Sequence, residues 1–183
     1  MTATQTATFR QPDRNPPTAV FNALGDWKAS ADPRVRYFSG TALYETRFTW
    51  ALPRTNTRVF LDLGEVRQIA AIALNGSELG VTWKKPFRID ITDALRAGGN
   101  TLAVRVANDW FNRFIGEEQL PDDTGADGRG DLAVWPDWVL KGRPRPEAGR
   151  VTLVNRKQVK KDTPLHPSGL LGPVTITSEP VAV

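Results

Sequence analysis

The stretch from Ile69 to Val106 constrains the fold of this 183-residue chain more than any other part of its sequence. Two apolar runs flank Asn75-Gly76, a dipeptide that strongly favours a two-residue β-hairpin turn. A third strand is predicted from Phe87, and a fourth follows a one-turn helix capped by Thr92-Asp93 and a turn at Gly98-Gly99-Asn100. Short strands joined by tight turns predict an all-β chain, an antiparallel jelly-roll β-sandwich and not a βαβ fold.

Apolar side chains alternate with polar ones in several further segments, which is the pattern of strands with one buried face. A first edge strand is predicted at 18–22 and a closing strand at 169–176. We expect these side chains to share inward faces of their strands: Ala42, Tyr44, Thr46, Phe48, Val59, Leu61, Leu63, Phe87, Ile89, Ile91, Leu102, Val104 and Val106.

The ends and the middle of the chain differ in composition. Residues 1–17 are polar and contain three prolines, which predicts a flexible N-terminal tail. Residues 18–183 are predicted to form a single β-sandwich, interrupted by a long loop excursion at 110–168 that is rich in Gly, Pro, Trp and charge. One short strand is predicted in the excursion, at Val151–Val154. Loops of this length are usually functional or disordered.

Composition excludes several classes of site. Cysteine is absent and His166 is the only histidine, which argues against a Ser-His-acid triad and a histidine-based metal centre. A calcium loop beginning at Asp123 would lack oxygen ligands at its third and twelfth positions, which are Gly125 and Val134. No cofactor is therefore expected; a structural calcium ion would fit such a sandwich, but its ligands are not assigned.

The sequence also bears on location. No apolar run is long enough to cross a membrane and the N-terminus does not resemble a signal peptide, so a membrane partner is not expected and the location is left open. A periplasmic or secreted setting would suit a fragment of a larger bacterial enzyme.

Two neighbouring segments carry opposite charge. Residues 117–137 hold seven acids and one base, and residues 141–161 hold eight bases and one acid. The basic segment could bind nucleic acid or another polyanion, or it could lie against the acidic segment. We favour the second interpretation because no aromatic residues for base stacking are interleaved with the bases.

Candidate functional residues concentrate in the excursion. Exposed Trp rings can stack on sugars while polar side chains read the hydroxyl groups. We therefore predict an aromatic platform with hydrogen-bonding neighbours; the alternative is that these rings cap the open end of the sandwich. The predicted ligand-binding residues are Trp110, Asn112, Arg113, Gln119, Trp135 and Trp138. No catalytic residue is assigned, because no specific motif surrounds the carboxylate candidates Glu65, Glu117, Glu118, Asp122 and Asp123.

Several motifs together support one resemblance. They are Tyr37–Tyr44, Leu61–Val66, Leu74–Gly80, Trp83 with Pro86-Phe87, Asn108–Gly116 followed by Gln119–Pro121, and Pro164–Val174. They resemble the C-terminal jelly roll of glycoside hydrolase family 106 α-L-rhamnosidases, over roughly Pro16 to Ile176. The resemblance implies a galactose-binding-like sandwich of the family-2 sugar-binding type, which accompanies a separate catalytic barrel.

For function, the resemblance implies a non-catalytic carbohydrate-binding accessory module that takes part in polysaccharide degradation. Its expected partners are an oligo- or polysaccharide, with rhamnose-containing polysaccharides among the candidates, and a glycosidase catalytic domain. Two alternatives stay open. The chain could be a purely structural domain that packs on the barrel, or a small independent enzyme that uses loop carboxylates such as Glu117 or Asp122.

Overall fold

The computed structural model describes residues 5–10, 18–21, 23–51, 56–127, 129–145 and 149–181. These residues form two compact units, of which unit 1 comprises 1–109 with 167–183 and unit 2 comprises 110–166. The elements in chain order are β1 (Gln5–Arg10), β2 (Thr18–Phe21), α1 (Pro33–Arg36), β3 (Thr41–Trp50), β4 (Thr57–Asp62), β5 (Glu65–Arg67), β6 (Ile69–Leu74), β7 (Ser77–Thr82), β8 (Arg88–Asp90), β9 (Gly98–Ala107), α2 (Phe111–Glu117), α3 (Asp137–Leu140), β10 (Gly169–Gly172) and β11 (Thr175–Pro180). In this described part, none of the helices is both long and apolar enough to span a bilayer.

Among the described residues, every strand lies in unit 1, and each strand pairs with its sheet neighbours in antiparallel orientation. One sheet has six strands in the order β2-β1-β3-β9-β6-β7. The others are a three-stranded sheet, β11-β4-β8, and a two-stranded sheet, β10-β5. The predicted all-β antiparallel architecture is confirmed.

The core of unit 1 consists of side chains from the inner faces of these sheets. The large sheet contributes Ala42, Ile72 and Val104, while β4 contributes Val59 and Leu61, and all five are at most 2% exposed. Because the apolar layers of separate sheets bury one another, the arrangement is a β-sandwich. The period-two alternation in the sequence therefore identified most of the inward positions correctly.

The hairpin predicted at Asn75-Gly76 is confirmed. Both residues have positive φ, 53° and 84°, as a two-residue turn between β6 and β7 requires. The Asn75 side chain also donates to the carbonyl of Ala94 and accepts the backbone N–H of Thr101. This asparagine therefore closes the hairpin and fixes it to the start of β9.

The predicted N-terminal tail is wrong for residues 5–10. Gln5–Arg10 forms β1, which pairs with β2 on one side and β3 on the other. Its sequence alternates threonine with other residues and lacks the apolar period that marked the other strands, so backbone pairing with β3 decides its structure. The remainder of the predicted tail, 1–4 and 11–17, lies outside the described residues.

Three local predictions also need correction. Gly98-Gly99-Asn100 begins β9 and is not a free turn, and the preceding one-turn helix is a 3-10 turn at Thr92–Ala94 without a side-chain cap. The closing strand is two strands, β10 and β11, because Pro173 cannot donate to a sheet ladder. Residues 151–154 in unit 2 form no strand.

A buried hydrogen-bonded cluster in unit 1 holds the closing segment. The indole Nε1 of Trp27 donates to the Tyr44 hydroxyl at 2.6 Å, and the same hydroxyl accepts the N–H of Leu170. Gly169 adopts φ +102°, and a Cβ there would lie 2.4 Å from Trp27 Nε1. A glycine is therefore required where the chain passes the buried indole ring.

This cluster predicts that Tyr44→Phe lowers the free energy of unfolding by about 2 kcal/mol, because the buried N–H of Leu170 loses its acceptor. Urea unfolding would measure the change. The control is Tyr37→Phe, since the Tyr37 hydroxyl has no hydrogen bond to the described residues, and we expect it to be nearly neutral. Equal effects of the two substitutions would contradict the role given to Tyr44.

Candidate functional site

Unit 2 is organised around a buried carboxylate. Glu117, in the last turn of α2, is only 2% exposed. It accepts hydrogen bonds from Nε of Arg113 and from the backbone N–H of Val151, both at 2.8 Å, and from the hydroxyl and N–H of Thr152. Burial raises the pKa of Glu117, but these hydrogen bonds outweigh burial and hold its pKa below the ordinary value. The carboxylate is therefore an ionised anchor that ties α2 to the segment at 150–152.

Asp123 and Arg145 form a second link within unit 2. Two nitrogens of the Arg145 guanidinium donate to the two oxygens of Asp123 at 2.7 and 2.8 Å, and a third donates to the carbonyl of Thr152. Hydrogen bonding from Arg145 lowers the pKa of Asp123 and outweighs the burial that opposes ionisation. Such a bidentate pair fixes geometry as well as charge.

Three further bases of the segment also contact acids of the segment 117–137. Arg150, 7% exposed, donates to Glu118 at 3.1 Å, Lys157 lies 3.4 Å from both Glu118 and Asp122, and Arg156 lies 3.4 Å from Asp131. The prediction that the segment 141–161 lies against the segment 117–137 is confirmed.

A cleft of about 430 Å³ opens within unit 2. Phe114, Trp135, Leu153, Val154 and Val159 supply its apolar lining. The polar lining residues are Glu117, Glu118, Thr124, Arg150, Thr152, Asn155, Arg156, Lys157 and Gln158. Its volume and mixed lining fall within the range of small-ligand sites, which is about 300–1,000 Å³.

The three tryptophans of the predicted platform do not all line this cleft. Trp135 lines the cleft and is 48% exposed, whereas Trp110 is 51% exposed but does not line it. Trp138 lies in α3, with the Arg145 guanidinium 5.2 Å from its ring centre, and it does not line the cleft either. Of the predicted aromatic residues, only Trp135 belongs to the cleft.

The three predicted polar residues make contacts within unit 2. Asn112 is 1% exposed, and its amide exchanges two hydrogen bonds of 2.8 Å with the backbone of His166. Arg113 holds Glu117, and Gln119 donates to the carbonyl of Lys161. Asn112 has a structural role in place of the predicted one, because a buried amide bonded in this way is out of reach of a sugar.

Sequence analysis missed the residues that form much of the cleft wall, which come from 152–159. That stretch forms no helix or strand, so the strand predicted at Val151–Val154, which overlaps its first part, was wrong, and no sequence pattern identified the stretch as a cleft wall. The structure also assembles no cluster of three or more carboxylate or histidine side chains that could hold a metal ion, among the residues that it describes.

Comparison with known proteins finds a family match, similar sequences and similar solved structures. The family profile described as "Glycosyl hydrolase 2 galactose-binding domain-like" matches residues 3–133. A Formosa agariphila protein named putative beta-glucuronidase is 43% identical over 158 residues, which are 85% of this chain and 13% of that protein. The solved structure of a rhamnosidase from Novosphingobium sp. PP1Y is 34% identical with a TM-score of 0.75, over 97% of this chain and 14% of that one.

A shorter match points the same way. A second Formosa agariphila protein, named beta-glucuronidase, is 37% identical over 78 residues, which are 41% of this chain and 8% of that protein. This chain therefore spans only about an eighth to a seventh of the length of the first protein and of the rhamnosidase structure.

The anchoring role of Glu117 predicts that Glu117→Gln destabilises unit 2 by about 3 kcal/mol at neutral pH, because it leaves Arg113 without its buried partner. Urea unfolding followed through the backbone amide NMR signals of α2 would measure the loss. Asp137→Asn is the matched control, since the ion pair of Asp137 with Lys141 is exposed, and we expect a change within about 0.5 kcal/mol.

The same variant has a predicted pH dependence. The pKa of Glu117 in the folded chain lies below the ordinary value of 4.5. The contribution of ionised Glu117 to the free energy of unfolding is therefore complete above the ordinary pKa of 4.5, and it is lost as the pH falls through the lowered pKa. The stability difference between Glu117→Gln and the parent chain should therefore shrink on acidification. A difference that stays constant down to about pH 3 would contradict the ionised anchor.

Proposed function

This chain belongs to the glycosyl hydrolase 2 galactose-binding domain-like family, and from that premise we propose that it is a non-catalytic carbohydrate-binding accessory module of a glycoside hydrolase. The proposed sugar site is the cleft of unit 2. One observation carries the proposal: a half-exposed indole, that of Trp135, lines a cleft of ligand size beside uncharged polar side chains.

The physical basis is that sugar rings combine apolar C–H faces with a periphery of hydroxyl groups. The Trp135 ring offers an apolar face for stacking, and Phe114, Leu153 and Val154 extend the apolar wall. Asn155 and Gln158 provide amide donors and acceptors for hydroxyl groups. An open cleft buries only part of a ligand, so we expect weak binding of individual sugars.

The state of the carboxylates favours binding over catalysis. A general acid of a glycosidase needs a raised pKa so that it keeps its proton until it acts. The pKa of Glu117 is lowered instead, and its oxygens are occupied by donors from Arg113, Val151 and Thr152. The pKa of Asp122 is also lowered, because hydrogen bonds from Thr124 and the positive charge of Lys157 outweigh the effect of burial. The alternative of an independent enzyme therefore gains no support.

The finer family assignment is also a proposal. Similarity to the Novosphingobium rhamnosidase over nearly the whole chain supports the jelly roll of family 106 α-L-rhamnosidases, whereas the Formosa relatives carry the name beta-glucuronidase. These names disagree on the sugar, so we propose a role in glycoside or polysaccharide degradation without assigning rhamnose or glucuronic acid. The proposed partner in either case is a catalytic domain.

A second candidate function, docking on that catalytic domain, is favoured by the outer face of β6 and β7. Ala70 and Ile72 point into the core, so Ile69 and Ala71 face outward, and Val81 pairs with Ala71 on that face. Val81 is 63% exposed, and Trp83, which follows β7, is 67% exposed. Grouped exposed apolar side chains of this kind mark interaction surfaces.

The sugar site predicts that Trp135→Ala weakens binding of oligosaccharides by about 2 kcal/mol, because the stacking platform is lost. Trp110→Ala is the matched control, since its ring has similar exposure outside the cleft. Isothermal titration calorimetry with a panel of oligosaccharides would measure the affinities of both variants. Loss of affinity in Trp110→Ala with no loss in Trp135→Ala would contradict the cleft and restore the platform predicted around Trp110.

The docking face gives a separate expectation. Trp83→Ser should weaken association of the chain with the separately produced catalytic part of its hydrolase by about 2 kcal/mol, because a large exposed ring at an interface is a frequent binding hot spot. Biolayer interferometry would measure the affinity, and Trp110→Ser would serve as the control. Unchanged association in Trp83→Ser would remove this face from the interface.

A further inference from the structure

We propose that the cleft of unit 2 takes uncharged saccharides and discriminates against carboxylated and sulfated ones. The proposal rests on the proposed function above and adds the charge class of the ligand. It is carried by the ion pairs around the cleft, together with two amide side chains whose polar atoms are available there.

Each guanidinium nitrogen of Arg150, the most buried cation of the lining, already donates a hydrogen bond within the protein. Arg150 donates from its three guanidinium nitrogens to the carboxylate of Glu118 and to the backbone carbonyls of Pro121 and Leu120, at 2.9–3.1 Å. An anionic sugar would have to displace these partners to form the bidentate contact by which arginine recognises a carboxylate or a sulfate.

The other two lining cations also have acidic partners. Lys157 lies between Glu118 and Asp122, at 3.4 Å from each. Arg156 lies 3.4 Å from Asp131, although its side chain is 67% exposed. Among the described residues, every cation of the lining therefore has an acidic partner.

The carboxylates of the lining oppose an anion directly. Glu117 and Glu118 both contribute to the cleft, and Glu117 is held ionised by its four donor groups. Bringing a second negative charge close to these groups is unfavourable, because like charges in a partly desolvated site repel strongly. A neutral ligand avoids this repulsion.

The groups that remain for a ligand are neutral. The side-chain amides of Asn155 and Gln158 line the cleft, are exposed and form no hydrogen bond to the other residues described. A primary amide both donates and accepts, which matches a hydroxyl group that does the same. These two amides and the Trp135 ring suit a polyhydroxylated, uncharged ring.

The test compares saccharides that differ only in charge. Cello- and galacto-oligosaccharides are neutral ligands that have C6-oxidised, carboxylated counterparts. Xylo- and rhamno-oligosaccharides are neutral ligands that are compared with their sulfated forms. Binding to the whole chain would be followed through the Trp135 indole signal by NMR. We expect the neutral member of a binding pair to have a Kd about tenfold lower, with little dependence on salt.

Two variants sharpen the comparison. Gln158→Ala should weaken neutral ligands by roughly fivefold because a hydrogen-bonding group is lost. Arg156→Gln removes the most exposed cation of the lining, and we expect it to cause no further loss of affinity for the charged saccharides.

The outcomes separate the inference from the function on which it rests. Tighter binding of the charged member, weakened by salt and abolished in Arg156→Gln, would overturn the inference and leave carbohydrate binding intact. Failure of every saccharide, neutral and charged, would overturn the proposed function and the inference with it.

Discussion

Charge compensation between two consecutive segments is the interaction on which unit 2 depends. Seven acids followed by eight bases would repel within each segment if the two remained apart. The pairs Asp123–Arg145 and Glu118–Arg150 offset part of this repulsion, and Glu117 accepts hydrogen bonds from backbone groups. Removing one member of such a buried pair leaves the other uncompensated, so the network is sensitive to single substitutions. Glu117, Glu118 and Arg150 of this network also line the cleft.

Much of unit 1 was predictable because its strands have one buried face. Burial at every second residue leaves a period in the sequence, and Val59, Leu61 and Val104 follow it. Turn chemistry is equally local, since Asn75-Gly76 tolerates the positive φ that its hairpin requires. β1 escaped detection because its residues lack that apolar period, and pairing with β3 is a long-range property.

The site was less predictable for a related reason. The sign of the charges indicated correctly that the segments 117–137 and 141–161 would meet, because electrostatic complementarity needs no periodicity. Which tryptophan lines the cleft depends on tertiary structure, and so does the burial of Asn112 against the backbone of His166. Asn155 and Gln158 carried no signal, since exposed amides in an irregular segment resemble those of any loop.

Together these features describe a sandwich whose family accompanies glycoside hydrolases, combined with a charge-paired unit that contains a cleft of sugar size. The most direct test of this account is a two-dimensional NMR titration of the chain with a neutral oligosaccharide that it binds. The account predicts shifts concentrated at the Trp135 indole and at the side-chain amides of Asn155 and Gln158. Shifts confined to Trp83 and the outer face of β7, or to Trp110, would contradict it.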